Sequence, residues 1–317
     1  MSIDYRTRKH GQPTPCQLSR RRAMRASAGL AMLGALAART HAAGPLGPAA
    51  KAAFAVVLFI PYDVDDLSFS EAAYRGCLAL QRDGYRIDVV SNADQMNQKQ
   101  MLASIDRYHA AGVRGFILAG AELSAATAAA AARYPRAFFA TVSGTARGPN
   151  IVDYCLDCRP LGGALAGAVA ARESKTKIVG FVGGVEAVDG GEANRFRQAV
   201  LDAQPGATVL IDWTGDWSAR KLAAQLTERQ IRLGADIVVA DANDAVIAAA
   251  STHRQVRAIG WMVDASRRYR NVVASVVVDT GVIYRRFVDA AAAGRFAGGD
   301  YVVTESDNVW QIVWPRR

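Results

Sequence analysis

Between Tyr62 and Ser70 the chain crowds three carboxylates and a phenylalanine into nine residues, Tyr62-Asp63-Val64-Asp65-Asp66-Leu67-Ser68-Phe69-Ser70. Adjacent acids such as Asp65 and Asp66 have the residue type for general acid–base work, but at a helix start such carboxylates usually cap or stay solvated. The Phe69 ring has two readings. It is either a hydrophobic staple for the following helix or a platform for a ligand's ring. A second aromatic stands in a matching context downstream, in Asp212-Trp213-Thr214-Gly215-Asp216-Trp217-Ser218. Neither segment is accompanied by a nucleophile and a base. Of the four histidines, His10 and His41 lie near the N-terminus, while His109 and His253 fall near predicted helix C-termini, where a partial positive charge suits the helix dipole. No G-x-S-x-G elbow, Walker A loop or H-E-x-x-H is present. Gly183-Gly184 follows an apolar run as a dinucleotide fingerprint does, but the third glycine is absent, and Gly190-Gly191 reads as a loose start to the next helix. These absences favour a binding protein over an enzyme, with no catalytic residue, cofactor or metal expected.

The elements that must position these residues alternate along the chain. The run Phe54-Ala55-Val56-Val57-Leu58-Phe59-Ile60 is continuous rather than alternating, as in a strand buried on both faces. Ser68 with Glu71 three residues on predicts a capped helix start. Further strands are predicted at 86–90, 113–119 and 137–142, with helices at about 68–82, 95–111 and 122–133 between them. A second set has strands at 176–182, 207–212, 236–240, 256–260 and 272–277, with helices near 160–172, 190–203, 218–233 and 242–253. This rhythm predicts an α/β fold of two doubly wound, Rossmann-like lobes joined by a hinge. The boundary is expected near 144–155, where Ser143-Gly144-Thr145-Ala146-Arg147-Gly148-Pro149-Asn150 breaks the period. Lobe 1 is assigned 51–148 plus 279–299, and lobe 2 149–278 plus 300–317. The helix at 279–294 returns to lobe 1, and a pair of short strands at 300–305 and 308–314 closes the chain.

Residues 1–42 read as an export signal. Ser19-Arg20-Arg21-Arg22-Ala23-Met24-Arg25 has the twin-arginine form, Ala26 to Ala38 is apolar, and Thr40-His41-Ala42 suits a signal peptidase. That stretch is too short to span a membrane, and no later run approaches the ~20 apolar residues a span needs. The formal charge of +9 belongs mostly to this segment, which holds eight Lys/Arg and one acid; the remainder has 30 basic against 28 acidic residues. Nucleic acid is therefore excluded as a partner. In an oxidising periplasm, Cys155-Leu-Asp-Cys158 reads as a small structural disulfide, since no second Cys/His pair completes a metal site. Cys77 falls on the apolar side of the first helix and reads as buried and inert. Cys16 leaves with the signal.

With both aromatic segments in place, the chain resembles the basic membrane protein family of periplasmic binding components, the purine nucleoside receptor type, over roughly 53–296. Val64-Asp65-Asp66-Leu67-Ser68-Phe69-Ser70 stands where the family reads I-D-D-K-S-F-N. Lys177-Ile178-Val179-Gly180-Phe181-Val182-Gly183-Gly184, with Asn194-Arg195-Phe196 behind it, matches K-V-G-F-V-G-G and the helix that follows. Gly215-Asp216-Trp217 with Lys221 matches G-S-F/W, and Ala258-Ile259-Gly260 with Val273-Ala274-Ser275-Val276-Val277 matches A-I-G and L-T-S-V-V. The resemblance implies a periplasmic binding protein of type I that closes two lobes over a nucleoside. The base stacks between Phe69 and Trp217, and acidic side chains hold the sugar hydroxyls.

The chain departs from that pattern at polar positions. Ile60 replaces an Asp, Ser70 an Asn and Val278 a Lys, while Trp261-Met262-Val263 displace the Asp after A-I-G to Asp264. The expected ligand set is therefore Phe69, Ser70, Asp63, Trp217, Asp241, Trp261 and Asp264, with Asp244 as a further strand-end acid. The expected role is the solute-binding component of an ABC importer, acting as a monomer in the periplasm with permease and ATPase subunits as partners. The ligand is a nucleoside or another small aromatic solute. The alternative is a sensor that presents its ligand to a membrane receptor kinase, which neighbouring permease and ATPase genes, or a histidine kinase gene, would distinguish.

Overall fold

The computed structural model describes residues 46–316, so the export signal expected over 1–42 lies outside the described residues. A short helix α1 (Pro48–Ala53) precedes β1 (Ala55–Phe59). The chain continues through α2 (Phe69–Arg82), β2 (Arg86–Val90), α3 (Gln98–Ala110), β3 (Gly115–Ala119), α4 (Ser124–Arg133), β4 (Phe138–Val142) and β5 (Ile151–Cys155). It then crosses to a second lobe and runs through α5 (Leu161–Glu173), β6 (Ile178–Gly183), α6 (Glu186–Ala203), β7 (Thr208–Trp213), α7 (Arg220–Arg232), β8 (Ile237–Ala240), α8 (Ala245–Ser251), β9 (Arg257–Met262) and β10 (Val272–Val278). Helix α9 (Thr280–Ala292) returns to pack on α2, β11 (Gly299–Val302) follows it, and β12 (Trp310–Val313) ends in the second lobe.

The first sheet has the order β11-β5-β4-β3-β1-β2 with every neighbour parallel. The second is β12-β10-β9-β8-β6-β7, antiparallel only at β12. Helices cover both faces, which is why the strands are apolar runs. In β1 the two faces separate by alternation. Val56, Leu58 and Ile60 pack with Cys77, Leu80, Ile283 and Phe287 of α2 and α9. Val57 and Phe59 pack with Met101 and Ile105 of α3 and with Ala130 of α4. The second lobe repeats the scheme, with Phe181 facing Phe196 of α6 and Val182 facing the helices α7 and α8. Helices α5 and α6 approach closely: a Cβ on Gly163 would lie 2.0 Å from the Glu192 carbonyl oxygen. Among the described residues no helix is long and apolar enough to cross a membrane.

The lobes are divided differently from the sequence expectation. Residues 151–155, assigned to lobe 2, form β5 within the first sheet. The reason lies in Asp153, which interrupts an otherwise strand-like Ile-Val-x-Tyr-Cys segment yet is buried. Its carboxylate accepts from Thr141 Oγ1 at 2.6 Å and from the Gly144 N–H at 2.8 Å. The expected closing pair of strands also divides, β11 joining the edge of the first sheet and β12 the edge of the second. Three segments thus cross between lobes, at 156–160, at Asp279 and at 303–309. The helix expected at 190–203 begins at Glu186, so Gly190 and Gly191 lie inside it.

Candidate functional site

In each sheet the strand order reverses once, beside β1 in the first and beside β6 in the second. Loops leaving the carboxyl ends of strands at such a reversal diverge and open a crevice. Here the two crevices meet in one cleft of about 600 Å³. The first lobe supplies Tyr62, Asp63, Asp65, Asp66 and Phe69 after β1, Glu122 after β3 and Ser143 after β4. The second supplies Asp189, Trp217, Asp241, Asn243, Asp244, Trp261 and Met262, and the crossing segment adds Leu156 and Asp157.

The first wall is a tight turn built from its own carboxylates. Asp66 accepts from the N–H groups of Ser68 (2.8 Å), Ser70 (3.0 Å) and Glu71 (2.9 Å), capping α2 in place of the Ser68–Glu71 box expected from sequence. Ser68 makes no side-chain cap bond. Leu67 takes a left-handed φ of 54° and donates its N–H to Glu71 Oε2 at 3.1 Å. So fixed, the turn holds Phe69 half-buried, one part against the core and the rest lining the cleft. The ring that anchors the helix start is thus also a wall of the cleft. Tyr62 beside it is pushed up to about 12, first by burial and then by Glu122, Asp94, Asp216 and Asp66.

The opposite wall depends on Gly183-Gly184. A Cβ on Gly184 would lie 2.1 Å from Cδ1 of Trp217, and one on Gly183 would lie 2.1 Å from Cζ3 of Trp213. The pair is there to let two indoles lie against the strand end, not to hold a dinucleotide. Trp217 is fixed in addition by its Nε1–H, which donates to Asp189 Oδ2 at 2.9 Å, and by its carbonyl, which accepts from Asn243 Nδ2 at 2.7 Å. The Val185 N–H donates to the same Asp189 oxygen at 3.0 Å, and the Gly184 N–H donates to Asp241 Oδ2 at 3.2 Å. Asp189 and Asp241 thus sit side by side behind Trp217, and Asp189 raises the hold of Asp241 on its proton. Burial pushes Asp189 up to about 6 and holds Asp241 well above the usual carboxylate range, each raised further by neighbouring acids. The protons of two carboxyls this close come off in steps that belong to the pair rather than to either residue. Burial likewise raises Asp157 and Glu122, and takes Glu192, behind the wall, to about 8. Asp244 differs: burial raises it, but Arg220 and a 2.8 Å bond from the Tyr269 hydroxyl outweigh that and hold it low.

Of the residues expected from sequence, Phe69, Asp63, Trp217, Asp241 and Trp261 line the cleft. Asp63 accepts from Asn92 Nδ2 at 2.8 Å, and Trp261 lies edge-on to Phe181 at 5.9 Å. Ser70 and Asp264 do not line it. Ser70 is fully buried, its Oγ accepting from the Tyr62 N–H at 3.1 Å. Asp264 caps the short turn 265–267, accepting from the Ser266 N–H at 3.0 Å. Ile60 and Val278, apolar where the related family is polar, belong to the core. Asp157, Asp189 and Glu122 escaped the sequence reading; Asp157 and Glu122 lie just beyond the carboxyl end of a strand, and Asp189 lies in the first turn of the helix that follows one. Cys155 and Cys158 are joined by a disulfide that encloses Leu156 and Asp157, and Cys77 is free and buried. Among the described residues no group of three or more His, Cys, Asp or Glu is arranged to hold a metal ion.

Two parallel-stranded lobes, three crossings and a cleft at facing switch points define a periplasmic binding protein fold of type I. The chain belongs to the Bmp family of PnrA-like ABC transporter substrate-binding proteins, whose model matches residues 53–306. It is similar in structure to an ABC transporter solute-binding protein from Conexibacter woesei, at 20% identity and a TM-score of 0.69 over 82% of this chain and 88% of that one. A transcriptional activator of the comK gene from Bacillus halodurans is similar at 18% identity and a TM-score of 0.71, over 82% and 89%. An ABC transporter periplasmic solute-binding protein from Actinobacillus succinogenes with bound D-allose is similar at 13% identity and a TM-score of 0.63, over 83% and 98%. At these identities the likeness concerns the fold. Comparison with curated protein sequences finds no match.

Proposed function

We propose that this protein is the solute-binding component of an ABC importer, exported to the periplasm, where it closes two lobes over a small aromatic ligand and docks on a permease served by an ATPase. Its family supports the transport role. The observation that carries the ligand class is that Phe69 and Trp217, one ring from each lobe, line the same cleft. Stacking on one aromatic contributes ~1–3 kcal/mol per base and tolerates many ring systems, so two faces supply much of a micromolar affinity. Acceptors such as Asp63 and Asp241 suit the hydroxyls of a nucleoside, the first ligand class to test. Closure is a hinge motion about the crossing segments. The cleft contributes binding and no chemical step.

Calorimetric titration with nucleosides tests this reading, using wild type, Phe69→Ala and Trp217→Ala. Each substitution should weaken binding by about 5- to 150-fold with little change in the melting temperature of the ligand-free protein. A ring that only staples its helix would behave oppositely, lowering ligand-free stability and sparing affinity. Wild-type affinity in both variants would overturn the reading.

A further inference from the structure

Resting on the reading of this cleft as a stacking site, we propose that its ligand is an organic cation, an aromatic ring with a positive charge on or beside it, rather than a neutral or phosphorylated compound. Both walls are acidic. The first presents Asp63, Asp65 and Glu122, and the second presents Asp157, Asp189 and Asp241. Among the described residues none of these six is in an ion pair with a protein cation. The two arginines on the cleft, Arg220 and Arg268, both act on Asp244: Arg220 is bonded to its carboxylate, and Arg268 lies within Coulombic reach. Arg268 is exposed and has no carboxylate bonded to it among the described residues, so the cleft sets one unpaired cation against these six acids. The field reaches across the cleft, since Tyr62 of the first lobe senses Asp216 of the second as well as Glu122 of its own.

A separate observation points the same way. Glu192 is 2% exposed and lies within reach of Asp157 and Asp189, its Oε1 buried without a hydrogen-bond partner among the described residues. It does not line the cleft, and burial leaves it protonated near neutral pH, so this carboxyl shows how little positive charge is available behind that wall. Hinge closure would press the two acidic walls together, which is unfavourable unless a counter-charge enters with the ligand. The rings agree with that requirement. An aromatic face is the negative end of its quadrupole, and indole attracts cations best. Trp217 has its Nε1–H edge tied to Asp189 and one side against Gly184, and the ring also lines the cleft. A cation seated there would favour the ionised forms of Asp189 and Asp241, which burial otherwise disfavours. The groups facing that pair are Asp157 from the crossing segment, Glu192 from α6, Trp217 and the N–H groups of Gly184 and Val185.

Two matched pairs of probes test the charge: 1-methyladenosine, cationic at neutral pH, against adenosine, and N-methylquinolinium against quinoline. Within each pair the cation should bind roughly tenfold tighter or more. Adenosine monophosphate should bind more weakly than adenosine. Calorimetry in buffers of different ionisation enthalpy should show proton release on binding either cation below neutral pH. The double variant Asp189→Asn with Asp241→Asn, its fold checked by circular dichroism, should bring the cation and its neutral partner close to parity. Equal or tighter binding of the neutral member in both pairs, or no binding of either cation, overturns the inference. The two failures separate through the ring variants. If neutral compounds bind best and Phe69→Ala and Trp217→Ala weaken them, the charge inference falls and the stacking site stands. If the ring variants weaken nothing, the stacking site falls with it.

Discussion

Glu192 shows what a single side chain costs this fold. One carboxylate oxygen accepts the Gly163 N–H at the start of α5, the other has no partner among the described residues, and burial takes the group from an ordinary 4.5 to about 8. Between those values the folded protein keeps a proton that the unfolded chain has lost. Stability therefore falls as pH rises across that window. Asp189, raised from 3.8 to about 6, adds a fall in the same direction that ends at lower pH. The melting temperature of the ligand-free protein should drop from about pH 5 to about pH 8. Glu192→Gln keeps an acceptor for Gly163 but has nothing to titrate, so it should flatten that drop. Parallel melting curves across pH for wild type and variant would show that Glu192 is not the group responsible.

At the level of an element, the start of α2 separates two residues that look interchangeable in sequence. Ser68 has the preferred residue type at the preferred position, yet its side chain makes no capping bond. Asp66, two residues earlier, takes three backbone N–H groups because the left-handed Leu67 folds the turn back over its carboxylate. Asp66→Ala should therefore cost about 1–2 kcal/mol of stability, and more in ligand affinity because Phe69 loses its seat. Ser68→Ala should be close to neutral in denaturant unfolding. Equal losses for the two would restore Ser68 as the cap.

On the scale of the whole molecule, the disulfide lies where the chain leaves the first sheet for α5. It closes a loop of very few residues, so its removal should cost less than the ~3 kcal/mol typical of a 15-residue loop. It also encloses Asp157, which lines the cleft, and Leu156, whose N–H donates to Ser143 Oγ at 3.2 Å. Cys155→Ser with Cys158→Ser should then weaken ligand binding more than it lowers stability. Thiol titration of unreduced, denatured protein lacking residues 1–42 should find one free thiol, Cys77; three would show the bridge is absent.

The sequence by itself determined what depends on near neighbours along the chain. Continuous apolar runs such as Val56–Ile60 marked strands covered on both faces, and their alternation with helices implied two doubly wound lobes. A strand end followed by a helix start singled out Phe69 and Trp217, because in such sheets that position faces a crevice whatever the rest of the chain does. Only the tertiary structure decided how strands without a local signature pair. Residues 151–155 join the first sheet because Thr141 and the Gly144 N–H satisfy Asp153, and neither partner is a sequence neighbour. It also decided which acids are costly. Asp157, Asp189 and Asp241 are ordinary carboxylates in sequence, and hold their protons more tightly only because three distant segments bury them together. Charge environment is a property of space, and a one-dimensional pattern reports it only where the chain folds locally.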